Sequence, residues 1–461
     1  MSISRRAFFK GTAAALAGAA ASRSHATPGR KPNVVYLFSD EHRWQSLSFT
    51  EMPNVRTPHM ASLAKQGVSF KYCISNYPVC SPYRAMLMTG RWPYQQGVID
   101  NGIALSPEET TLGKVFKAAG YDTAYIGKWH LGGVRAEPFG FDDSLIWTDD
   151  NTHWDKSKYH PRGGGPVQPK GYNATLMTDQ ALAFIEKRRE RPFFLIVSWN
   201  PPHSNFLDAP GEKKALYPEG SLPWRKNVPA ATTTSSAEPA IWDQNSWPYY
   251  QGYHAHISAI DDELGRILAR LDALGLGDDT ILVYSSDHGS MMGSHGIGGK
   301  RQPFEESIRV PFLVRWPGTV PRGKSVDALF GAIDIMPTLC GLAGIPIPST
   351  CVGHSFSPSL RGKKGPEPEA QLLMHISKKN ASGGESHPAP LFRGLRTRRH
   401  TFALRPDGPW QLFDNKEDPY QMKNLVDDPS TRALRDRLAA MLRLRLDEAH
   451  DPITLPNAGP A

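Results

Sequence analysis

The chain of 461 residues has only four cysteines, Cys73, Cys80, Cys340 and Cys351. Four thiols so placed do not make a disulfide framework, and none stands in the Cys/His spacing that holds zinc. Cys340 and Cys351 are near enough in sequence to pair, but spacing alone does not establish the geometry a disulfide needs. No apolar run is long enough to span a bilayer stably. No internal repeat is present, which excludes solenoids and propellers. There is no long basic run beyond the first residues, so nucleic acid is a poor partner. What remains, 39% hydrophobic and 21% charged, is the composition of a soluble globular protein.

The segment Met1–Ala26 carries no acid but contains Arg5, Arg6, Lys10 and Arg23. Ser4-Arg5-Arg6-Ala7-Phe8-Phe9-Lys10 precedes an alanine-rich run, Thr12 to Ala21, and Ser24-His25-Ala26 reads as a small-x-small cleavage site. Residues 1–26 are therefore expected to be a twin-arginine signal peptide, directing a folded bacterial protein through the twin-arginine export machinery to the periplasm or outside. Its four cations account for half of the formal charge of +8, leaving +4. A mildly basic face suits an anionic substrate.

Hydrophobic patterning alternates strands with helices. Asn33–Phe38 is a buried strand ending in Ser39-Asp40-Glu41-His42. Thr57 and Pro58 are expected to cap and start a helix that Gly67 stops. Leu112–Ala119 is a helix, and Tyr121–Ile126 a strand running into Gly127-Lys128-Trp129-His130. Pro192–Trp199 leads to His203, an amphipathic helix covers Ile257–Leu271, Thr280–Ser286 delivers Asp287-His288, and Val310–Val314 is another strand. Polar clusters at strand carboxyl ends predict an α/β fold: a mostly parallel central sheet flanked by helices, with the site along one edge. Short strands at Leu372–Ile376, Gly394–Thr397 and Thr401–Leu404, then a helix through Leu434, Leu438, Met441 and Leu442, predict a smaller C-terminal α+β subdomain. The expected division is 27–366 for the catalytic domain and 367–461 for the subdomain. Lys378–Pro390 is expected to be a polar surface loop.

The most specific segment is Cys80-Ser81-Pro82-Tyr83-Arg84, followed by Thr89-Gly90-Arg91. With Asp40, Lys128, His130, Asp287, His288 and Lys300 in order around it, the chain resembles type I sulfatases of the alkaline phosphatase superfamily over about Lys31 to Leu446. The match continues through Glu305–Pro311, Asp334–Leu339 and Gln411–Asp414. The resemblance implies an alkaline-phosphatase-like sheet, and conversion of Cys80 to formylglycine by a formylglycine-generating enzyme. The hydrated aldehyde would be the nucleophile, and sulfate would leave by elimination. It also implies one divalent metal, calcium with magnesium or manganese as alternatives, held by Asp40, residue 80, Asp287 and His288, with Glu41 a further candidate. Arg84 would orient the hydrate, Lys128 and Lys300 clamp sulfate oxygens, His203 protonate the leaving alcohol, and His130 deprotonate the hydrate. The chain departs from the commonest pattern at Glu41, His288 and Tyr83; an Asp-His pair also occurs in phosphonate monoester hydrolases and choline sulfatases.

The expected activity is that of an exported sulfatase acting on a sulfated small molecule or oligosaccharide, a carbohydrate sulfate above all. A phosphonate or phosphate ester hydrolase is the alternative; an unmatured Cys80 would leave a non-catalytic binder of sulfated glycans. The stretches Ala136–Tyr172 and Ser204–Trp247 read as long loops whose Trp154, Tyr159, Trp224, Trp242 and Trp247 either stack on sugars or pack the loops. His295 and Cys73 read as structural.

Overall fold

A computed structural model describes residues 31–148, 152–187, 189–229, 246–377 and 390–454. The leader, Trp242 and nearly all of the Lys378–Pro390 insertion lie outside the described residues.

The central strand β1 (Asn33–Asp40) is buried along its whole length. Val34, Tyr36 and Phe38 enter one hydrophobic cluster while Val35 and Leu37 enter another. A strand covered on both faces needs an unbroken apolar run, and this one has it. Around it stand β2 (Val68–Ile74), β3 (Asp122–Lys128), β4 (Asp143–Thr148), β5 (Lys158–Pro161), β6 (Phe193–Pro202), β7 (Thr280–Ser286), β8 (Arg309–Val310), β9 (Phe312–Arg315) and β10 (Lys324–Gly331). Their order is β10-β2-β9-β7-β1-β6-β3-β4-β5, with β8 on β2. β1 runs parallel to both neighbours, with Val35 opposite Leu195 and Leu282. Helices Pro58–Gln66, Asn173–Glu186 and Trp247–Ala273 cover one face through Met60, Leu63, Met177, Ile260 and Leu264. Helices Cys80–Thr89, Leu112–Ala118 and Ile335–Ala343 cover the other through Met86, Phe116, Met336 and Leu339.

A second, antiparallel sheet follows: β11 (Ala370–His375), β12 (Phe392–Thr397), β13 (His400–Arg405) and β14 (Gly408–Asp414), in sequence order. Helix Arg432–Glu448 packs on it through Leu438, Leu442 and Leu446. Leu372, Leu395, Phe402 and Leu412 belong to the same hydrophobic cluster as β1, so the two sheets share one core.

Several local expectations are corrected. Val310–Val314 is not one strand: Pro311, which has no N–H to give a ladder, separates β8 from β9, and both run antiparallel to β2. Ala136–Tyr172 is not only loop, because β4 and β5 extend the sheet there. Thr57 does not cap its helix with its side chain. Its hydroxyl accepts from Ser48 N at 2.9 Å, and the first helical N–H groups go to Asp261, which accepts from His59 N and Met60 N at 2.9 and 2.7 Å. A carboxylate on the neighbouring helix thus takes the capping role. All four cysteines are free thiols, Cys340 and Cys351 included. Trp247 and Tyr159 are buried, and Trp224 stacks on Tyr250 at 4.0 Å, so these rings are packed inward; Trp154 is the exposed one, at 40%.

Candidate active site and metal centre

Four chain segments meet where β1, β3, β6 and β7 end. β1 and β7 are in parallel register, Ser39 opposite Ser286, so Asp40 and Asp287 emerge side by side. The Cys80–Thr89 helix begins above them, and Gly90 in left-handed conformation (φ 66) ends it. Four residues along this helix, about one turn, separate Cys80 from Arg84, which puts both on one face.

Arg84 is 1% exposed and organises the centre. Its Nη2 donates to Oδ2 of Asp40 at 3.1 Å and to Oδ2 of Asp287 at 3.0 Å. Its Nη1 donates to the Lys128 carbonyl and to Ser198 Oγ, both at 2.7 Å. Holding both Oδ2 atoms leaves the two Oδ1 atoms turned inward. His288 Nδ1 donates to the Gly289 carbonyl at 3.0 Å, which frees Nε2 to face them at 3.5 and 3.6 Å. Cys80 Sγ lies 3.3 Å from that nitrogen and 3.8 Å from Asp40 Oδ1. Asp40, Cys80, Asp287 and His288 therefore each offer a ligand atom within 4.8 Å of the others, all buried. Two hard oxygens and an imidazole nitrogen fit a divalent cation of the magnesium, calcium or manganese type. Burial raises Asp287, as does the Asp40 charge beside it, whereas at Asp40 burial is outweighed by Lys128, His203 and Arg84, which hold it low. Burial lowers His288, but Asp287 pulls it up to about 9. Such a site collects positive charge, and a metal would displace that proton.

Glu41 stands apart from these four donors. It has φ 76, a left-handed backbone that places its N–H on Asp287 Oδ1 at 3.0 Å. Its carboxylate meets Lys300 Nζ at 3.2 Å and His203 Nε2 at 3.7 Å. The second close grouping, Asp40, Glu41 and His203, thus has the lysine at its edge.

Cations converge on residue 80 from the other side. Lys128 Nζ is 2.8 Å from Asp40 Oδ2, and Lys300 Nζ is 3.5 Å from Cys80 Sγ. Burial raises the Cys80 thiol, but Lys300, Lys128 and His288 outweigh it, and a hydrogen bond from His130 assists; the thiol is held well below its ordinary value. The sulfur marks a position built for negative charge. His130 has φ 53, and its buried Nδ1 has no hydrogen-bond partner. His203 is pulled up, although burial, Lys300 and Lys128 oppose the rise, because Asp40 and Cys80 favour its charged form. The structure thus brings together all the expected site residues.

Other participants were not legible in the sequence. Ser198 and Asn200 sit on β6 just before His203. Asn200 Oδ1 accepts from Lys128 Nζ at 3.5 Å, while its Nδ2 donates to His153 Nε2 at 3.1 Å. His153 Nδ1 in turn donates to Asp208 Oδ1 at 2.6 Å. Tyr253, from the long helix, donates to the Glu41 carbonyl at 2.8 Å. Polar residues at a strand's carboxyl end were the one available signal, and it pointed to Asn200; His153, Asp208 and Tyr253 carried none.

Paired strand-end carboxylates, a helix-borne residue 80 and converging cations on a doubly covered sheet define a hydrolase centre for an anionic ester. The family described as Sulfatase matches residues 32–345, and the family described as N-sulphoglucosamine sulphohydrolase, C-terminal, matches residues 293–448. The chain belongs to the sulfatase family of the alkaline phosphatase superfamily, and is a sulfuric ester hydrolase. It is 37% identical to an ulvan-active sulfatase of Formosa agariphila over 439 residues, covering 91% of this chain and 82% of that one. It is 29% identical to an endo-4-O-sulfatase of Bacteroides thetaiotaomicron, covering 94% and 96%. A solved structure from work on glycosaminoglycan metabolism by that bacterium superposes with a TM-score of 0.82 at 28% identity, covering 92% of this chain and 97% of that one.

Proposed function

We propose that the protein removes sulfate from a carbohydrate sulfate through a hydrated formylglycine formed from Cys80, after export directed by residues 1–26. The observation that carries this reading is the convergence of Cys80 Sγ, two carboxylate Oδ1 atoms and His288 Nε2 within 4.8 Å, beside Lys300. A thiol has no second leaving route for sulfate, whereas a gem-diol placed there has two hydroxyls. A divalent cation held by Asp40, residue 80, Asp287 and His288 would polarise a sulfate oxygen and acidify an adjacent hydroxyl. Calcium is the proposed ion, magnesium and manganese the alternatives. In this reading the chain's own groups do the rest. Lys128 and Lys300 hold the remaining sulfate oxygens and neutralise their charge. Arg84 fixes both aspartates. His203, with its raised pKa, gives a proton to the leaving alcohol, and His130, whose Nδ1 has no other partner, takes one from the second hydroxyl. The proposed domain division is a catalytic unit at 27–366 and a subdomain at 367–461. The sugar-directed reading is supported by ulvan and N-acetylglucosamine, named for two relatives.

Peptide mass spectrometry of the native protein tests the nucleophile: the expected result is an aldehyde at residue 80, and an intact thiol throughout would make the preparation at most a binder. Turnover of paired aryl sulfate and aryl phosphonate esters tests the reaction. Sulfate should be preferred, and phosphonate turnover faster by orders of magnitude would replace this reading with phosphonate ester hydrolysis. A panel of defined sulfated oligosaccharides then identifies the sugar and position.

A further inference from the structure

A cavity of about 520 Å³ opens where the edge of the large sheet meets the second sheet. Lys71 and Tyr72 of β2 line it, with Glu305 and Arg309 from one side and Arg396, Arg398, Arg399 and Lys416 from the other. Six cations thus face two carboxylates, Glu305 and Glu51, and Glu51 is turned to Arg225 outside the lining. None of these residues belongs to the catalytic centre.

The floor is built around one ring. Arg309, Arg396 and Lys71 lie 5.1, 5.2 and 5.3 Å from the Tyr72 ring centre. Glu305 is the single carboxylate between the two guanidinium groups: Arg396 Nε reaches it at 2.6 Å and Arg309 Nη1 at 3.5 Å. Burial pushes the Arg309 guanidinium down, and Arg396 adds to that despite Glu305, so positive charge there is under-compensated. At the rim Arg399 is held by Asp414 at 2.6 Å and Arg398 by Glu367 at 3.4 Å. No salt bridge to Lys71 or Lys416 occurs among the described residues. With the rim arginines paired to Glu367 and Asp414, positive charge remains in excess at Lys71, at Lys416 and at the Arg309–Arg396 pair that shares Glu305, and a cavity so lined is a receptor for oxyanions.

The cavity lies along the strand that serves the catalytic centre. Lys71 is four residues before Ser75, about 13 Å of extended chain, and Ser75 Oγ donates to the Asp287 carbonyl at 2.7 Å. We propose that this junction cavity is an accessory binding site for a sulfated or carboxylated stretch of glycan, which holds a polyanionic chain while a separate sulfate occupies the catalytic centre. The occupant is inferred from the sulfatase reading, on which this step rests. A substrate carrying many sulfates then binds by two contacts, and its affinity exceeds that of a single sulfate ester.

The test compares wild type with Lys71→Ala/Arg398→Ala/Lys416→Ala, which spares the half-buried Arg309 and the buried Arg396 and Glu305. A second variant, Arg398→Glu, reverses one rim charge. Binding of a chondroitin sulfate hexasaccharide is measured by calorimetry in the Cys80→Ala background, and turnover of a small aryl sulfate with Cys80 intact. The expected result is about tenfold weaker hexasaccharide binding, with a shallower salt dependence, and aryl sulfate turnover within about twofold of wild type. Unchanged hexasaccharide affinity in both variants overturns the site. Equal loss on the aryl sulfate overturns it too, because the cavity would then act through the catalytic centre or the fold. Binding of an oligonucleotide of matched charge as tightly as the hexasaccharide overturns the glycan assignment. If wild type turns over no sulfate ester while the variants still weaken hexasaccharide binding, the sulfatase reading fails and the accessory site stands.

Discussion

Two clusters that combine histidine with carboxylate in this protein have opposite character. The first holds Asp40, Cys80, Asp287 and His288; the second holds His153, Asp208 and His256, also with ligand atoms within 4.8 Å. In the second, protons already fill the gaps. His153 Nδ1 donates to Asp208, Asn200 donates to His153 Nε2, and His256 lies between the Tyr172 hydroxyl at 2.7 Å and the Asn205 carbonyl at 3.2 Å. Burial, with His153 nearby, pushes His256 down to about 4, so its ring is neutral. In the first, Arg84 takes the two outward oxygens; Asp287 Oδ1 also accepts from the Glu41 and His288 N–H groups, yet both Oδ1 atoms still face His288 Nε2. Clustered histidine and carboxylate do not by themselves define a metal centre. Lone pairs left pointing at a common space do.

The comparison can be broken most directly at residue 80, the proposed nucleophile. Cys80→Ala should lower aryl sulfate kcat/KM by at least about 10⁴-fold, the scale of losing a nucleophile, whereas His256→Gln should cost less than about tenfold; similar losses in steady-state assays would erase the distinction. The next test is stoichiometric. After chelation, calorimetry should show one divalent ion bound per chain, lost in Asp287→Asn and retained in Asp208→Asn. A second equivalent that disappears with Asp208 would make the second cluster a metal centre as well. A smaller effect sharpens the role of that second cluster. Asp208→Asn replaces the carboxylate that fixes the His153 tautomer with an amide; when that amide donates to Nδ1 the ring proton moves to Nε2, and the Asn200 amide turns to accept it and presents Nδ2 to Lys128. The expected loss in kcat is roughly tenfold, the size of one disturbed hydrogen bond to a charged group, with the dominant change in the pH profile rather than in thermal stability. An unaltered pH–rate profile would reduce the His153–Asp208 pair to packing.

A last test concerns acid stability rather than turnover. His42, His256 and His375 are depressed to about 4 and His254 well below its ordinary value, in each case chiefly by burial. All four are fully or almost fully buried. Unfolded, each titrates near about 6.5. Between these values the unfolded chain binds protons that the native one refuses, so this contribution is present above about pH 6.5 and is lost as pH falls toward 4, by up to roughly 1.4 kcal/mol per pH unit per group. Denaturant midpoints measured from pH 7 to 5 should fall steadily, and His42→Gln should flatten the slope. A flat profile in the wild-type protein would refute neutral burial of these rings.

Much of the fold was legible because apolar runs in a doubly covered sheet are continuous, as in β1, β6 and β7. What escaped depended on neighbours distant in sequence. β9 runs antiparallel between β2 and β7, a choice made by the Phe312, Phe70 and Phe330 packing that no local pattern encodes. Thr57 looked like a cap, but Asp261 approaches the same N–H groups from another helix. For Trp224 and Trp247 the sequence left sugar stacking and loop packing both open; the long helix starts at Trp247, ten residues before its amphipathic pattern becomes visible at Ile257, and its Tyr250 takes up Trp224. The candidate site was legible where its residues form contiguous motifs, Cys80–Arg84 and the strand-end acids. Its supports were not: Asn200, His153 and Asp208 form a chain of contacts spanning three segments.

The sequence by itself determined the chemistry on offer: which residue is the nucleophile candidate, which acids end strands, and which lysines and histidines follow. Covalent spacing suffices there, since Cys80 and Arg84 share a helix face wherever that helix lies. Tertiary structure alone decided what those groups do to one another. Arg84 takes the outer oxygen of each aspartate, so the inner oxygens face His288 and residue 80; Glu41, one residue from Asp40, is turned by a left-handed backbone toward Lys300 and His203. The direction of a lone pair, and the protons that do or do not meet it, exist only once the distant strands are in register.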